Sequence, residues 1–227
     1  MSIWRNVMAV LLPQDCLLCA ATSGDALLCD ECRADLPRLP DARCPICAEA
    51  SPGAMTCGAC LKAPPHFDAT IAALPYAFPV DKLVQALKYQ RRLATADFLA
   101  QSMLAAGAPV GDILVPLPLS AARLRQRGFN QAVELSRPLA RALRLALELD
   151  GCARDRDTVP QASLPWKERR QNIRHAFACA IDFAGKSVIV VDDVMTTGAT
   201  LDEFARTLKA HGAGRVTNWV AARTLRN

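Results

Sequence analysis

Aromatic residues make up only 5% of this 227-residue chain, and they are not interleaved with its basic stretches. A surface that holds single-stranded nucleic acid by base stacking needs such interleaving. Any contact with DNA therefore rests on charge and fades steeply with added salt. Long apolar runs are missing as well. The opening MSIWRNVMAVLLPQDC has one short apolar run broken by Arg5 and Asn6, with no small-residue cleavage site. Nothing approaches the roughly 20 apolar residues of a membrane span or the layout of a secretory signal. The expectation is a cytoplasmic protein with no membrane partner, in which residues 3–12 form a short amphipathic helix covering another element. There is no low-complexity tract. No GxGxxG follows a predicted strand, which removes a dinucleotide fold. A nucleotide-triphosphatase loop fails too: Gly185-Lys186-Ser187 supplies its tail, but position 180 is Ala and the run precedes a strand.

What is present begins with cysteine. Of ten, eight lie in the first 60 residues as four CxxC pairs: Cys16/Cys19, Cys29/Cys32, Cys44/Cys47 and Cys57/Cys60. The second half, CPIC…CGAC, repeats the first, CLLC…CDEC, at an offset of 28. A reducing compartment disfavours a disulfide framework, and a thioredoxin-like motif uses one CxxC beside a βαβ pattern. Paired thiolates suit tetrahedral Zn²⁺, and four of them leave no open position for water. Two structural zinc ions are expected. Either successive ribbons, Cys16/Cys19/Cys29/Cys32 and Cys44/Cys47/Cys57/Cys60, or a crossed pairing of first with third and second with fourth satisfies the spacing. Cys152 and Cys179 stand alone and read as small buried hydrophobes.

The length suits one α/β domain with a small appended module, here residues 63–227 after a cysteine-rich 1–62. A composition of 52% hydrophobic and 22% charged residues is globular, and a net charge of +5 favours anionic ligands without specifying nucleic acid. Past KAPPHFDAT, strands are predicted over 71–78, 112–119, 186–191 and 214–222. Helices are predicted over 81–103, 121–149 (with a break at Pro138) and 200–211, and residues 150–176 read as loop with one short strand. Strands that alternate with helices and lack strict apolar–polar alternation argue a mostly parallel sheet covered on both faces.

One stretch carries chemistry: VIVVDDVMTTGATLDE, residues 188–203. Asp192 and Asp193 close a strand, and Thr196, Thr197, Gly198, Ala199 and Thr200 turn into a helix. That edge of an open α/β sheet is where ligands bind. Backbone amides at 197–199 and the helix start form an anion nest. The threonine hydroxyls add donors, and Gly198 permits close approach. Two carboxylates beside a phosphate make sense only with ribose hydroxyls, a Mg²⁺ ion, or both between them.

VIVVDDVMTTGAT is similar to the phosphoribosyl pyrophosphate (PRPP) loop of type I phosphoribosyltransferases. The rest of the chain resembles the ComF family, linked to competence for DNA uptake: a double zinc ribbon, then PLPLSAARLRQRGFNQAVELSRPLA at 116–140, with RxxxRGFNQA (123–132) the most distinctive run. The resemblance implies a type I phosphoribosyltransferase fold and a Mg²⁺-dependent pentosyl transfer from PRPP or another ribose 5-phosphate. Asp192 and Asp193 would hold the ribose 2′ and 3′ hydroxyls, and residues 196–200 the 5-phosphate. The turn carrying Leu117 and Pro118 would be the pyrophosphate loop, and residues 154–174 a hood over the sugar.

Residues 119–175 independently hold twelve Arg or Lys against six acids. Arg123 and Arg127 share a helical face and read as phosphate ligands at the catalytic centre. Arg125, Arg137, Arg141 and Arg144 read as a solvated face. Gly128 and Asn130 mark a shaped turn, and Arg169, Arg170, Asn172 and Arg174 are hood candidates. His175 reads equally as a packing or a catalytic residue. Lys88 and Tyr89 carry no assigned role, and Phe129, Trp166 and Trp219 are candidates to stack on an acceptor. The competing reading is a non-catalytic module that senses PRPP or nucleotides, or binds single-stranded DNA or a DNA-processing protein. The pattern is compatible with a monomer or a dimer.

Overall fold

The computed structural model describes residues 14–90, 92–155 and 173–225. The helix expected over 3–12 and hood candidates Arg169, Arg170 and Asn172, with Trp166, lie outside the described residues. In the cysteine-rich part, β1 (Gln14–Asp15) pairs antiparallel with β2 (Thr22–Gly24), and two short helices follow, α1 (Asp30–Ala34) and α2 (Gly58–Lys62). The 28-residue repeat extends to the backbone. Cys16 N donates to Ala21 O at 2.7 Å and Cys44 N to Glu49 O at 2.8 Å, while Ala20 and Ala48 both adopt left-handed φ, 61° and 57°.

The main sheet has five strands in the order β3-β9-β8-β4-β5, all parallel: β3 (Ala69–Pro75), β9 (Arg215–Arg223), β8 (Ser187–Met195), β4 (Ile113–Pro116) and β5 (Ala146–Leu147). Its near-continuous apolar strands are buried because both faces are covered. One face packs α3 (Val80–Gln90), α4 (Ala94–Ala106) and α6 (Gln131–Leu143), through residues such as Leu83, Leu99 and Leu135. The other packs α7 (Ala199–Ala210) through Phe204 and Leu208. The first ribbon joins the former core by Cys16, Leu28 and Cys29, and the second joins the latter by Ala48. The second ribbon also covers the outer edge of β3, where Pro45 O accepts Thr70 N at 3.3 Å. An uncovered edge strand is a template for unwanted pairing.

The structure amends several expectations. The helix expected over 81–103 is two, ending at Gln90 and restarting at Ala94. The helix expected over 121–149 breaks at Gly128, not at Pro138. A short α5 (Ala121–Arg127) stops at Gly128 in the left-handed region (φ 80°), and Asn130 caps α6 by accepting Ala132 N at 2.9 Å. Pro138 sits inside α6, and β5 follows it. Among the described residues of 150–176 there is one short strand, β6 (Cys152–Arg154), as expected, and it pairs antiparallel with β7 (Phe177–Cys179) just beyond. Their register sets Cys152 opposite Cys179, and the two form a disulfide, so they are not lone hydrophobes. Trp219, fully buried in the sheet, offers no stacking face.

Candidate functional site

Strand β8 runs further than the apolar pattern predicts, to Met195, so Asp192 and Asp193 lie within it. They are reachable because β4 stops pairing at Val191, while β9 continues alongside to Met195. Strand side chains alternate between faces. Val188 and Val190 belong to the α7-side core, and Ile189 and Val191 to the α3-side core. Both acids sit at the C-terminal rim of the sheet, with Asp193 on the α3 side.

Asp193 meets Lys88 there. Lys88 Nζ lies 2.8 Å from Asp193 Oδ2, with the side chains 17% and 9% exposed. Burial opposes the charge on Lys88, but Asp193 outweighs it and holds the ammonium above its ordinary pKa. Among the described residues, Asp192 has no such partner of its own. Burial and the neighbouring Asp193 push its pKa up to about 8, against the opposing pull of Lys88 and the Asp193 backbone N–H. That N–H donates to Asp192 Oδ1 at 2.8 Å. Burial and Asp193 thus hold Asp192 back from ionising, a cost that an arriving cation or hydroxyl donors would relieve.

The acids floor a cleft that is open at its mouth and encloses about 140 Å³. Thr196, Gly198, Ala199 and Thr200 line one side. Gly198 precedes α7 with φ 81°, and a Cβ there would come within 2.6 Å of Met195 Cε. Thr197 is outside the lining; its Oγ1 instead accepts Ala199 N at 3.3 Å and holds the turn. Leu117 and Pro118 line the facing side, where Asn130 Nδ2 donates to Leu117 O at 3.0 Å. Arg123 and Arg127 reach the cleft from α5, with Arg127 Nη1 on Gln131 Oε1 at 2.7 Å. Burial and repulsion from Arg127 lower the pKa of Arg123. Arg125, Arg137, Arg141 and Arg144 are exposed on the outer surface.

Lys88 and Arg154 also line the cleft; sequence reading assigned Lys88 no role and set Arg154 at the start of the hood. Arg154 is buried with its guanidinium 5.7 Å from the Phe177 ring centre. Lys88, Arg123, Arg127 and Arg154 against Asp192 and Asp193 leave four cations over two acids in the lining. Arg174 and His175 are exposed and outside this cleft, and Phe129 packs against the α3-side core.

The cysteines gather as two successive quartets, Cys16/Cys19/Cys29/Cys32 and Cys44/Cys47/Cys57/Cys60, each with ligand atoms within 4.8 Å of one another. The crossed pairing is excluded by this geometry. Tetrahedral zinc with Zn–S near 2.3 Å separates sulfurs by about 3.8 Å. The Cys19–Cys29 and Cys47–Cys57 sulfurs stand 3.7 and 3.6 Å apart. Cys16 and Cys44 are drawn down to about 6 and about 7: burial opposes ionisation, but converging backbone N–H groups prevail. The quartets fit structural zinc.

Comparison with known proteins agrees with this layout. A double zinc ribbon domain model matches residues 7–61, and a phosphoribosyl transferase domain model matches 130–224. The DNA utilization protein YhgH of Escherichia coli K12 is 33% identical over 219 residues, 92% of this chain and 90% of that one. Competence protein F of Haemophilus influenzae is 32% identical over 208 residues, 86% and 90% of the two chains. The chain belongs to the ComF/YhgH family. Within that family, the competence protein ComFC of Bacillus subtilis is 32% identical over 105 residues, 44% of this chain and 39% of the relative. A solved glutamine PRPP amidotransferase from B. subtilis aligns over 56% of this chain and 26% of its own at 22% identity and TM-score 0.36, too low to inform chemistry. The fold is α/β with the mostly parallel sheet typical of type I phosphoribosyltransferases, preceded by a zinc-ribbon region. Among the described residues, no helix is long and apolar enough to cross a membrane.

Proposed function

We propose that the cleft binds PRPP and that the chain is a phosphoribosyltransferase-like protein of the ComF family. The observation that carries this reading is the acid pair at the strand rim, facing the Thr196–Thr200 turn across a cleft that also holds four cations. Asp192 and Asp193 accept the ribose 2′ and 3′ hydroxyls. The 196–200 turn takes the 5-phosphate at the start of α7. Lys88, Arg123, Arg127 and Arg154 face the pyrophosphate, with the Leu117–Pro118 turn beneath it. Two adjacent carboxyl groups, one of them kept from ionising by burial and its neighbour, also fit Mg²⁺, which would share that role and neutralise the leaving group. In transfer, the C1–oxygen bond breaks, pyrophosphate leaves with the electron pair, and an acceptor forms the new bond to C1. The fixed cations stabilise charge on the departing group, so placement matters more than a general base.

Calorimetry with PRPP and Mg²⁺ tests the site. Replacing both acids by amides in Asp192→Asn/Asp193→Asn should weaken binding by about a hundredfold; unchanged affinity overturns the assignment. Pyrophosphate release without DNA supports transfer.

The second reading is a non-catalytic module that senses PRPP or nucleotides, or handles single-stranded DNA. It draws on the relatives' names and on Tyr89, 67% exposed with the Arg127 guanidinium 5.8 Å from its ring centre. No turnover combined with salt-sensitive DNA binding favours it.

A further inference from the structure

Arg223, the last residue of β9, is 3% exposed and takes no part in the cleft lining. An arginine this deep inside an apolar sheet must have its donors satisfied. Apart from the carbonyl of its neighbour Thr224, which also accepts from Nη1, its partners fall into two groups. Toward the second ribbon, Nε donates to Cys47 O at 2.9 Å and Nη2 pairs with Glu49 Oε2 at 3.1 Å. Toward the phosphate turn, Nη1 donates to Met195 O at 3.2 Å and also to Thr196 O. Cys47 belongs to the second cysteine quartet, and Thr196 opens the turn.

A trans peptide aims its N–H opposite to its C=O. Holding the carbonyls of Met195 and Thr196 therefore fixes the directions of the Thr196 and Thr197 amides. An anion nest needs those directions set before the ligand arrives. An apolar contact runs parallel to the polar one: Ala48, between the two halves of the second quartet, shares a core with Phe67, Met195 and Ala199. Among the described residues, the first ribbon has no equivalent. Its Cys16, Leu28 and Cys29 pack on the opposite face of the sheet, with α3 and α4. Glu49 offsets the charge of Arg223, so the contribution is geometric.

We propose that Arg223 is a positioning residue that makes the order of the phosphate turn depend on the second cysteine quartet and not on the first. Zinc at Cys44/Cys47/Cys57/Cys60 fixes the Cys47 carbonyl and Glu49. Arg223 passes that constraint to Met195 and Thr196. The consequence for ligand affinity rests on the proposed PRPP site; the coupling itself does not.

Peptide-level hydrogen exchange on ligand-free, full-length protein tests the coupling. The readouts are the 196–199 amides, with the 188–191 amides of β8 as the internal reference for the fold and zinc content measured alongside. Loss of two or three buried hydrogen bonds should speed exchange at 196–199 by about tenfold or more in Arg223→Met, with 188–191 unchanged. Cys57→Ser/Cys60→Ser should do the same and add nothing in the Arg223→Met background. Cys16→Ser/Cys19→Ser should leave the turn protected, and Arg223→Lys should recover part of the protection. A turn equally protected in Arg223→Met, or equally loosened by loss of either ribbon, overturns the proposal. If Arg223→Met also loses protection at 188–191, Arg223→Lys and the two cysteine variants decide it by the same comparison. Titration with ribose 5-phosphate is the separate arm. Should the wild type not bind it, the PRPP reading fails while the exchange result still stands or falls by itself.

Discussion

Replacing Asp192 by Asn should stabilise the fold while weakening the ligand site, and the gain should depend on pH. Its carboxyl is raised from 3.8 to about 8, first by burial and then by Asp193. At 1.36 kcal/mol per unit, the ceiling on that cost is about 5–6 kcal/mol above pH 8. Partial exposure and the high effective dielectric of such sites bring the expectation to about 1–3 kcal/mol. Between pH 4 and 8 the unfolded chain has released this proton and the folded chain retains it. Wild-type stability from this group is therefore undiminished below about pH 4, falls as pH rises, and levels off above about 8. Asn keeps the oxygen that accepts Asp193 N and does not titrate. Urea denaturation of both proteins at pH 5, 6.5 and 8 should show a gap that widens with pH in favour of Asn. A pH-independent gap, or a less stable Asn variant at pH 8, would falsify the account of Asp192. Higher stability joined to weaker PRPP binding is the signature of a group kept for its ligand at the expense of the fold.

Lys88→Met should act in the opposite sense. It leaves the buried Asp193 carboxylate without its ion-pair partner, at a cost of about 3–5 kcal/mol, read as a lower urea midpoint at pH 7. Gly198→Ala should cost about 1–2 kcal/mol from its left-handed backbone alone. The new Cβ also presses on Met195 Cε at 2.6 Å, so calorimetry should show weaker ribose 5-phosphate binding alongside the lower melting temperature; unchanged values for both would mean that the turn is not set by this glycine.

What the sequence made legible is local. The four CxxC pairs follow from spacing, and the 28-residue repeat fixes the same backbone turns twice, down to the left-handed Ala20 and Ala48; which pairs join as quartets is decided by the fold. The acid pair and the Thr-Gly turn are contiguous in the chain, so one strand-to-helix connection sets their relation. The contacts that were missed join distant elements. Lys88 meets Asp193 across 105 positions, through the packing of α3 on the sheet. Cys152 meets Cys179 only because β6 and β7 pair in that register. The helix break was placed at Pro138 because proline is the stronger breaker in isolation. Gly128 and Asn130 supply a stop and a new cap together, and tertiary packing keeps Pro138 helical.

Two of the missed residues did leave a trace in the sequence. Lys88 follows Val84 by four, so it lies along the buried stripe of α3 formed by Leu83, Val84 and Leu87. Arg223 ends a strand whose other residues from Val216 onward are all buried. In both places the periodicity calls for an apolar side chain, and a cation stands there instead. A buried charge is retained only where something pairs with it. Each of these cations therefore implies a partner: the acid pair for Lys88, and for Arg223 the carbonyls that join the second ribbon to the phosphate turn.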